Sequence, residues 1–228
     1  MWVAADLLFT RHCSPQSTEK ITTVRSIGGI GVQAVNAFVL HGVRVDVLKA
    51  DLTQKAEVLK LEQRLRSDSS INLLVNNAGV AVNGLLANAD PDQLENLIQL
   101  NVTALTRLAS AAAAAFTKAG RGTIINIASV VALFPERFNA TYSASKAYVL
   151  SLTQSLNTEL EGTGVKVQAV LPGVTRTEIW ERSGFDASGI PAEMVMKPRK
   201  IRPISALNQA IATRQTIAST SAMNGING

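Results

Sequence analysis

The sequence predicts an α/β fold: a single Rossmann-type, doubly wound parallel sheet with helices on both faces. From about residue 19, short β-branched runs alternate with longer amphipathic runs, a pattern typical of strand–helix–strand units. The strand runs are apolar almost throughout, as parallel strands buried on both faces are. Of the 228 residues 46% are hydrophobic, which is enough for one sizeable core and argues against a disordered chain.

Five strands and four helices are predicted. The strands are EKITTV (19–24), VRVDVL (43–48), INLLVN (71–76), GTIINIAS (122–129) and VKVQAVLPG (165–173), and the helices are 29–41, 53–67, 91–119 and 140–163. The helix over 91–119 has the clearest pattern, because its large apolar residues keep the three-and-four spacing of one buried face. Asp90 is its expected N-cap, Pro91 its first residue, and Gly120 and Gly122 end it.

The predicted domain covers residues 19–196, between an N-terminal extension (1–18) and a basic, flexible tail (197–228). The tail carries five basic residues and no acid, so the net charge of +5 belongs to it, and the rest of the chain is neutral. No nucleic-acid partner is therefore expected. No apolar run approaches the ~20 residues of a membrane span, and the start, MWVAADLLFT, does not have the pattern of a signal peptide.

The cysteine and histidine content bounds the environment and the chemistry. Cys13 is the single cysteine, so this chain forms no internal disulfide and a reducing, cytoplasmic location is expected. His12 and His41 have no cluster of ligating side chains beside them in the sequence, and no metal site is predicted.

Polar residues follow three predicted strands at their carboxyl ends, where ligands bind in open α/β sheets. These residues are NNAG at 76–79, Ser129 at the end of the next strand, and Pro172 and Gly173 at the end of the last strand, followed by Thr175 and Thr177. Each group alone is typical of an ordinary turn. Three such groups at one sheet edge are expected to face one crevice.

The segment TYSASKAYVL adds a chemical pair. Tyr142 and Lys146 are four residues apart on a predicted helix, so they share a face. A phenol with a pKa of about 10 is a poor acid or base at neutral pH, and a nearby ammonium group is expected to lower that pKa. The pair is a candidate proton donor and acceptor for a carbonyl/alcohol couple, with Ser129 able to hydrogen-bond the same substrate oxygen. A surface Tyr and Lys on a helix is the alternative.

Together these motifs resemble those of the short-chain dehydrogenase/reductase family. The matching residues are GIG at 29–31, Asp51 in ADLT, NNAG at 76–79, Asn101 in LNVTA, Ser129, YSASK at 142–146 and PGVTRT at 172–177. Their order and spacing fit over roughly residues 20–196. The resemblance implies an NAD(P)-dependent oxidoreductase that interconverts a carbonyl and a secondary alcohol, with NAD or NADP as cofactor and NADP slightly favoured.

The resemblance also implies residue roles. Tyr142 would be the general acid/base, Lys146 would lower its pKa and bind the nicotinamide ribose, and Ser129 would orient the substrate carbonyl. Asn101 would help to hold a water for proton relay. The implied cofactor-binding residues are Gly29, Ile30, Gly31, Asp51, Leu52, Asn77, Ala78, Gly79, Tyr142, Lys146, Pro172, Gly173, Thr175 and Thr177.

The chain departs from the family pattern at both ends. Arg25 stands where the family's turn has its first glycine, which the tight phosphate-binding turn needs; it either weakens this loop or reaches a phosphate by charge. Only 20 residues separate Gly31 from Asp51, so one strand–helix unit is expected to be missing. Because of this gap, either Asp46 or Asp51 is the acid expected beside the cofactor, and the sequence does not decide between them. The last C-terminal strand is also expected to be missing. A truncated, cofactor-binding-impaired family remnant without activity is therefore the alternative function.

A further segment, WERSGFDASGIPAEMVM, follows the last predicted strand. We expect it either to form a mobile cover with an apolar inner face or to pack into the core. Its few polar groups favour a moderately apolar small-molecule substrate. The resemblance further implies a homodimer or homotetramer formed through the helices at 91–119 and 140–163.

Overall fold

The computed structural model describes residues 7–11, 20–24, 44–48, 50–137, 139–173 and 217–218. Its strands are β1 (Leu7–Arg11), β2 (Lys20–Val24), β3 (Arg44–Leu48), β4 (Ile71–Asn76), β5 (Gly122–Ile127), β6 (Val165–Leu171) and β7 (Ile217–Ala218). The α-helices of the described ranges are α1 (Lys55–Ser67), α2 (Pro91–Ile98), α3 (Leu105–Ala119) and α4 (Ala140–Glu159). None of these helices has the length and apolar character needed to cross a bilayer.

The strands form one sheet in the order β3–β2–β1–β4–β5–β6–β7, with β2 parallel to β3 and β4 to β7 parallel to one another. All five predicted strands are confirmed, and so is the α/β, Rossmann-like fold class. The five predicted strands all run parallel to one another, as predicted, and the additional strand β1 runs antiparallel to both β2 and β4. Only residues 12–19 connect β1 to β2, and a parallel crossover needs a dozen residues or more.

The structure adds one strand at each end of the predicted domain. Leu7–Arg11, predicted as part of an extension outside the domain, form β1 inside the sheet. Ile217–Ala218, within the predicted tail, form the two-residue strand β7, where Ile217 pairs with Val170. That the family's last strand is missing stays a prediction. The predicted helix at 29–41 and the rest of the interval between Gly31 and Asp51 lie outside the described residues, apart from β3 and Ala50.

The register of the strands places several carboxyl ends at one edge of the sheet. Leu7 pairs with both Val24 and Asn76, and Val24 pairs in turn with Leu48. Asn76 pairs with Asn126 across the β4–β5 interface. Strands are about 4.8 Å apart, so the end of β2, where the glycine turn begins, lies two spacings, or about 10 Å, from the end of β4.

The described helices cover one face of this sheet. The connections β3–α1–β4, β4–α2–α3–β5 and β5–α4–β6 all run in the same direction along the sheet, and right-handed crossovers in one direction lie on one face. The main core beneath them is built of Leu and other apolar residues from α1, β4, α3 and β5, with Phe116 and Leu108 each 1% exposed.

The long helix predicted over 91–119 is interrupted. Asp90 caps α2 as predicted, because its side chain accepts a hydrogen bond from Asp92 N at 3.0 Å, and Pro91 is the first helical residue. Gln99–Ala104 then form a π-helical turn before α3 begins. Gly120 ends α3 with φ of 66°, a left-handed conformation that glycine adopts without strain. Single π-helical turns often mark functional sites.

We expect Phe116→Ala to lower the free energy of unfolding by about 3–5 kcal/mol, because the phenyl ring is buried and its removal leaves a cavity. Leu59→Ala on α1 is the matched control, since Leu59 is 37% exposed and its truncation should change stability by less than ~0.5 kcal/mol. Urea denaturation of both variants measures the difference, and equal losses in the two variants would contradict the packing described.

Candidate active site

Helix α4 places the predicted tyrosine and lysine side by side. Asn139 caps the helix, with its Oδ1 accepting a hydrogen bond from Tyr142 N at 3.1 Å. One turn later the Lys146 Nζ lies 5.8 Å from the centroid of the Tyr142 ring. Tyr142 is half-buried and Lys146 is buried. The expectation that both side chains share one face of a helix is therefore confirmed.

Ser129 reaches the same place from the end of β5. The β5–β6 pairing continues past both strands, through bonds from Ala128 N to Val170 O (2.8 Å) and from Val130 N to Pro172 O (3.1 Å). The Ser129 hydroxyl lies 3.5 Å from Pro172 O and also hydrogen-bonds the Tyr142 side chain. Two of the three predicted strand-end groups thus meet beside the phenol.

The third strand-end group, NNAG at 76–79, is joined to the site through Asn101, which is buried in the π-helical turn. Its Oδ1 accepts from Val80 N at 2.9 Å, and its Nδ2 donates to Val80 O at 2.9 Å and to Ser145 Oγ at 3.1 Å. Ser145 Oγ donates in turn to Tyr142 O at 2.7 Å. The amide of Asn101 therefore fixes the loop after β4 against the helix that carries Tyr142.

Gly79 lies against this cluster. A Cβ at this position would stand 3.2 Å from Asn101 Oδ1 and 3.5 Å from Lys146 Nζ. The first distance is tighter than an ordinary van der Waals contact, so glycine suits the space between these two side chains. Gly79, Asn101 and Lys146 are consequently neighbours.

The lysine ammonium has a protein acceptor beside it, since Lys146 Nζ donates to Ile127 O at 2.9 Å. An ammonium group carries three hydrogens, so the lysine can bind further acceptors. Burial lowers the pKa of Lys146 from 10.5 to about 8, because desolvation disfavours its charged form.

Tyr142 differs from the expectation of a lowered pKa. Burial raises the pKa of its phenol from 10.0 to about 12, and the hydrogen bond from Ser129 offsets only part of that rise. With its pKa of about 8, Lys146 is already neutral at the pH where the Tyr142 phenol ionises, so its proximity does not lower the pKa of the phenol. In this state of the protein the phenol holds its proton at neutral pH.

The residues predicted on the adenine side are partly described. The Asp51 carboxylate accepts hydrogen bonds from the backbone N–H and the hydroxyl of Thr53, at 2.9 and 2.7 Å, and Asp51 N donates to Glu57. Leu52 is 1% exposed and belongs to the main core. Asn77 and Ala78 are half-buried after β4, and Gly173 is half-buried after β6. The predicted residues Gly29, Ile30, Gly31, Thr175 and Thr177, and Arg25 with them, lie outside the described residues.

A buried amide chain was missed by the sequence reasoning. Asn76 Nδ2 donates to Asn126 Oδ1 at 2.9 Å, Asn126 Nδ2 donates to Thr153 Oγ1 at 3.0 Å, and Thr153 Oγ1 donates to Val149 O at 2.6 Å. The signal was an asparagine inside an otherwise apolar strand, GTIINI, because buried polar groups require partners. Asn139 and Ser145 were also missed, since their partners are set by tertiary contact.

The chain belongs to the short-chain dehydrogenase family, because the family model described as short chain dehydrogenase matches residues 21–187. Among solved structures it is similar to a short-chain dehydrogenase from Sphingobium yanoikuyae in complex with NADPH, with 39% identity, a TM-score of 0.66 and coverage of 81% of this chain and 82% of that one. It is also similar to a bulky-bulky ketone specific alcohol dehydrogenase from Comamonas testosteroni, with 35% identity, a TM-score of 0.61 and coverage of 82% and 80%.

Among curated proteins the chain resembles a 3alpha-hydroxysteroid dehydrogenase of Mediterraneibacter gnavus, with 33% identity over 148 residues, which are 64% of this chain. The match spans 56% of that enzyme and 57% of a similar ketoacyl reductase, HetN, of Nostoc. The chain therefore spans little more than half the length of these curated relatives.

The opposite shifts at Lys146 and Tyr142 predict how stability depends on pH. Between pH 8 and 10 the unfolded chain holds the lysine proton that the folded protein has lost, so the free energy of unfolding should rise, by about 2 kcal/mol. From pH 10 to 12 the folded protein keeps the Tyr142 phenol proton that the unfolded chain loses. The contribution of Tyr142 to the free energy of unfolding is therefore lost as the pH rises through this range.

Urea denaturation across this pH range checks the prediction. Lys146→Met should abolish the rise between pH 8 and 10, whereas Lys118→Met, at an exposed residue of α3, should retain it. A rise of the same size in the Lys146→Met variant would show that another group causes it.

Proposed function

We propose that this protein is an NAD(P)-dependent oxidoreductase that interconverts a carbonyl and a secondary alcohol by hydride transfer. The observation that carries the proposal is the meeting of three groups: the Tyr142 phenol, the Ser129 hydroxyl bonded to it, and the buried Lys146 ammonium above the ring. Such an arrangement can give a proton to an oxygen, or take one from it, at a site shielded from bulk water. A surface tyrosine and lysine, the alternative for this segment, would not be buried.

The described residues at the nicotinamide side fit a dinucleotide cofactor. Lys146 retains hydrogens for ribose hydroxyls, and glycine at position 79 keeps a side chain from crowding Asn101 and Lys146. Pro172 and Gly173, next to Ser129, would border the nicotinamide amide. A bound nicotinamide supplies or accepts the hydride, and its oxidised form adds positive charge near the phenol. The NADPH in the similar S. yanoikuyae structure supports a slight preference for NADP.

The protonation states support reduction of the carbonyl as the direction that the site performs at neutral pH. Tyr142, with its pKa raised to about 12, is a proton donor there, and it would protonate the substrate oxygen. Ser129 would donate a hydrogen bond to the same oxygen and so align the carbonyl with the phenol. Lys146, protonated below its pKa of about 8, would stabilise the phenolate left behind.

Asn101 has a different part in this proposal from the one that its family position implies. Its side-chain amide is engaged by Val80 and Ser145, so the amide serves to position the site. A relay water would instead bind a backbone carbonyl of the π-helical turn, where the α-helical pattern of hydrogen bonds is interrupted.

A cofactor-binding-impaired remnant is the second candidate, favoured by one observation of the sheet. The antiparallel β1 separates β2, which leads into the glycine turn, from β4, which leads into Gly79. Titration with NADPH, followed by the fluorescence of the nicotinamide, separates the two candidates. We expect saturable binding below millimolar concentration, and its absence would favour the remnant.

We further propose a homodimer or homotetramer formed through the helices of residues 91–119 and 140–163. Tyr148 of α4 is exposed and its hydroxyl lies 2.9 Å from Thr106 Oγ1 of α3, and Ile98 at the end of α2 is also exposed. Exposed large side chains on packed helices suit a second copy of the chain, which sedimentation analysis would detect.

The lack of an internal disulfide supports a cytoplasmic location.

We expect Tyr142→Phe to lower kcat for ketone reduction at least ~100-fold, since it removes the proton donor and little else. Tyr148→Phe is the matched control, because it makes the same change on the same helix at an exposed residue outside the site. Stopped-flow measurement of NADPH consumption gives kcat, and NADPH titration checks that binding survives. Turnover retained in the Tyr142→Phe variant would refute the role assigned to Tyr142.

A further inference from the structure

Four large apolar side chains are exposed in the two loops that follow β4 and β5. Leu85 is 73% exposed, Leu86 55%, Leu133 46% and Phe134 38%. The other large apolar residues exposed in the described part of the chain lie singly on helices. A lone exposed leucine needs no explanation, but apolar residues gathered at one place on a surface mark a binding site.

These loops meet at the amino end of α4, next to the candidate active site. Asn139 Nδ2 donates to Gly84 O at 2.7 Å, while its Oδ1 accepts from Tyr142 N. The loop that carries Leu85 is thereby tied to the helix three residues before Tyr142. We call Leu85, Leu86, Leu133 and Phe134 the apolar rim.

The second loop is fixed to the same helix. It begins at Ser129, whose hydroxyl accepts from Val131 N at 3.4 Å and caps a short 3-10 turn that ends at Ala132. Leu133 and Phe134 follow that turn directly, and the turns on both sides of them pack against α4. The rim is therefore continuous with the site that holds Ser129 and Tyr142.

The two loops that carry the rim have no net positive charge. Residues 80–89 contain no charged residue, and the loop after β5 contains one acid and one base, Glu136 and Arg137. Neither loop therefore favours an anionic ligand over a neutral one, whereas a hydrocarbon group at the rim would gain by leaving water.

From these observations we propose that the apolar rim binds a hydrocarbon substituent of the substrate, and that the substrate is an uncharged ketone with at least one extended alkyl or aryl group. The inference rests on the proposed function. In the reaction the hydride is added to the carbonyl carbon, the Tyr142 proton goes to the carbonyl oxygen, and the reduced nicotinamide is oxidised. The rim takes no part in these steps and acts on affinity and orientation.

A homologous series of methyl ketones, from butanone to decanone, tests the proposal with NADPH as reductant. We expect kcat/KM to rise with each added methylene until the rim is covered, by up to about 4-fold per methylene, the equivalent of ~0.8 kcal/mol. Ketones of equal length that end in a carboxylate should not show this rise.

Two variants locate the effect. Phe134→Ser and Leu85→Ser should each flatten the rise, whereas Leu59→Ser on α1, which is 37% exposed where Phe134 is 38%, should leave it unchanged. Circular dichroism checks that each variant is folded. A rise that is the same in all three variants would overturn the proposal.

The other outcomes are distinct. Turnover with no dependence on chain length would overturn the rim proposal and leave the proposed function standing. No turnover of any ketone, with NADPH bound, would overturn the proposed function itself. If Phe134→Ser weakened self-association and left the ketone series unchanged, the rim would be an interface between copies, which also overturns the proposal.

Discussion

The buried amide chain from Asn76 through Asn126 to Thr153 is the interaction on which the geometry of the site depends. It joins β4, β5 and α4 in the interior, where an unpaired amide would be costly. A shift of one residue in either strand would turn the asparagine of that strand to the other face and break the chain. The pairing Asn76↔Asn126 is therefore held in one register, and Ser129, three residues further on, arrives beside Tyr142 as a consequence.

Burial sets the chemistry of the two titratable groups in opposite directions. The same dry surroundings hold the Tyr142 phenol protonated and make the Lys146 ammonium easier to neutralise. A ligand that brought positive charge to this edge would counter the first effect, and acceptor oxygens near Lys146 would counter the second. The pKa values of both groups would therefore move toward those needed for proton transfer only when such a ligand is bound.

Features that depend on local pattern could be predicted from the sequence, whereas features that depend on tertiary contact could not. Apolar runs and helix caps such as Asp90 located the strands and helices after residue 44, and the four-residue spacing of Tyr142 and Lys146 predicted their shared face. The pattern of β1 was too short to distinguish a strand from an extension, and its antiparallel direction depends on the length of the connection to β2. The raised pKa of Tyr142 required knowledge of burial, which the spacing of residues does not contain.

The π-helical turn at Gln99–Ala104 changes how this chain tolerates changes in length. Such a turn contains one residue more than an α-helical turn, so α2 and α3 are out of phase by about 100° with the arrangement of an uninterrupted helix. Deleting a single residue here would give a more regular helix, yet it would rotate one half relative to the other. Leu97, now fully buried, and the clamp formed by Asn101 could then not both keep their places. The deletion would make the helix more regular but would disrupt the packing of the protein around it.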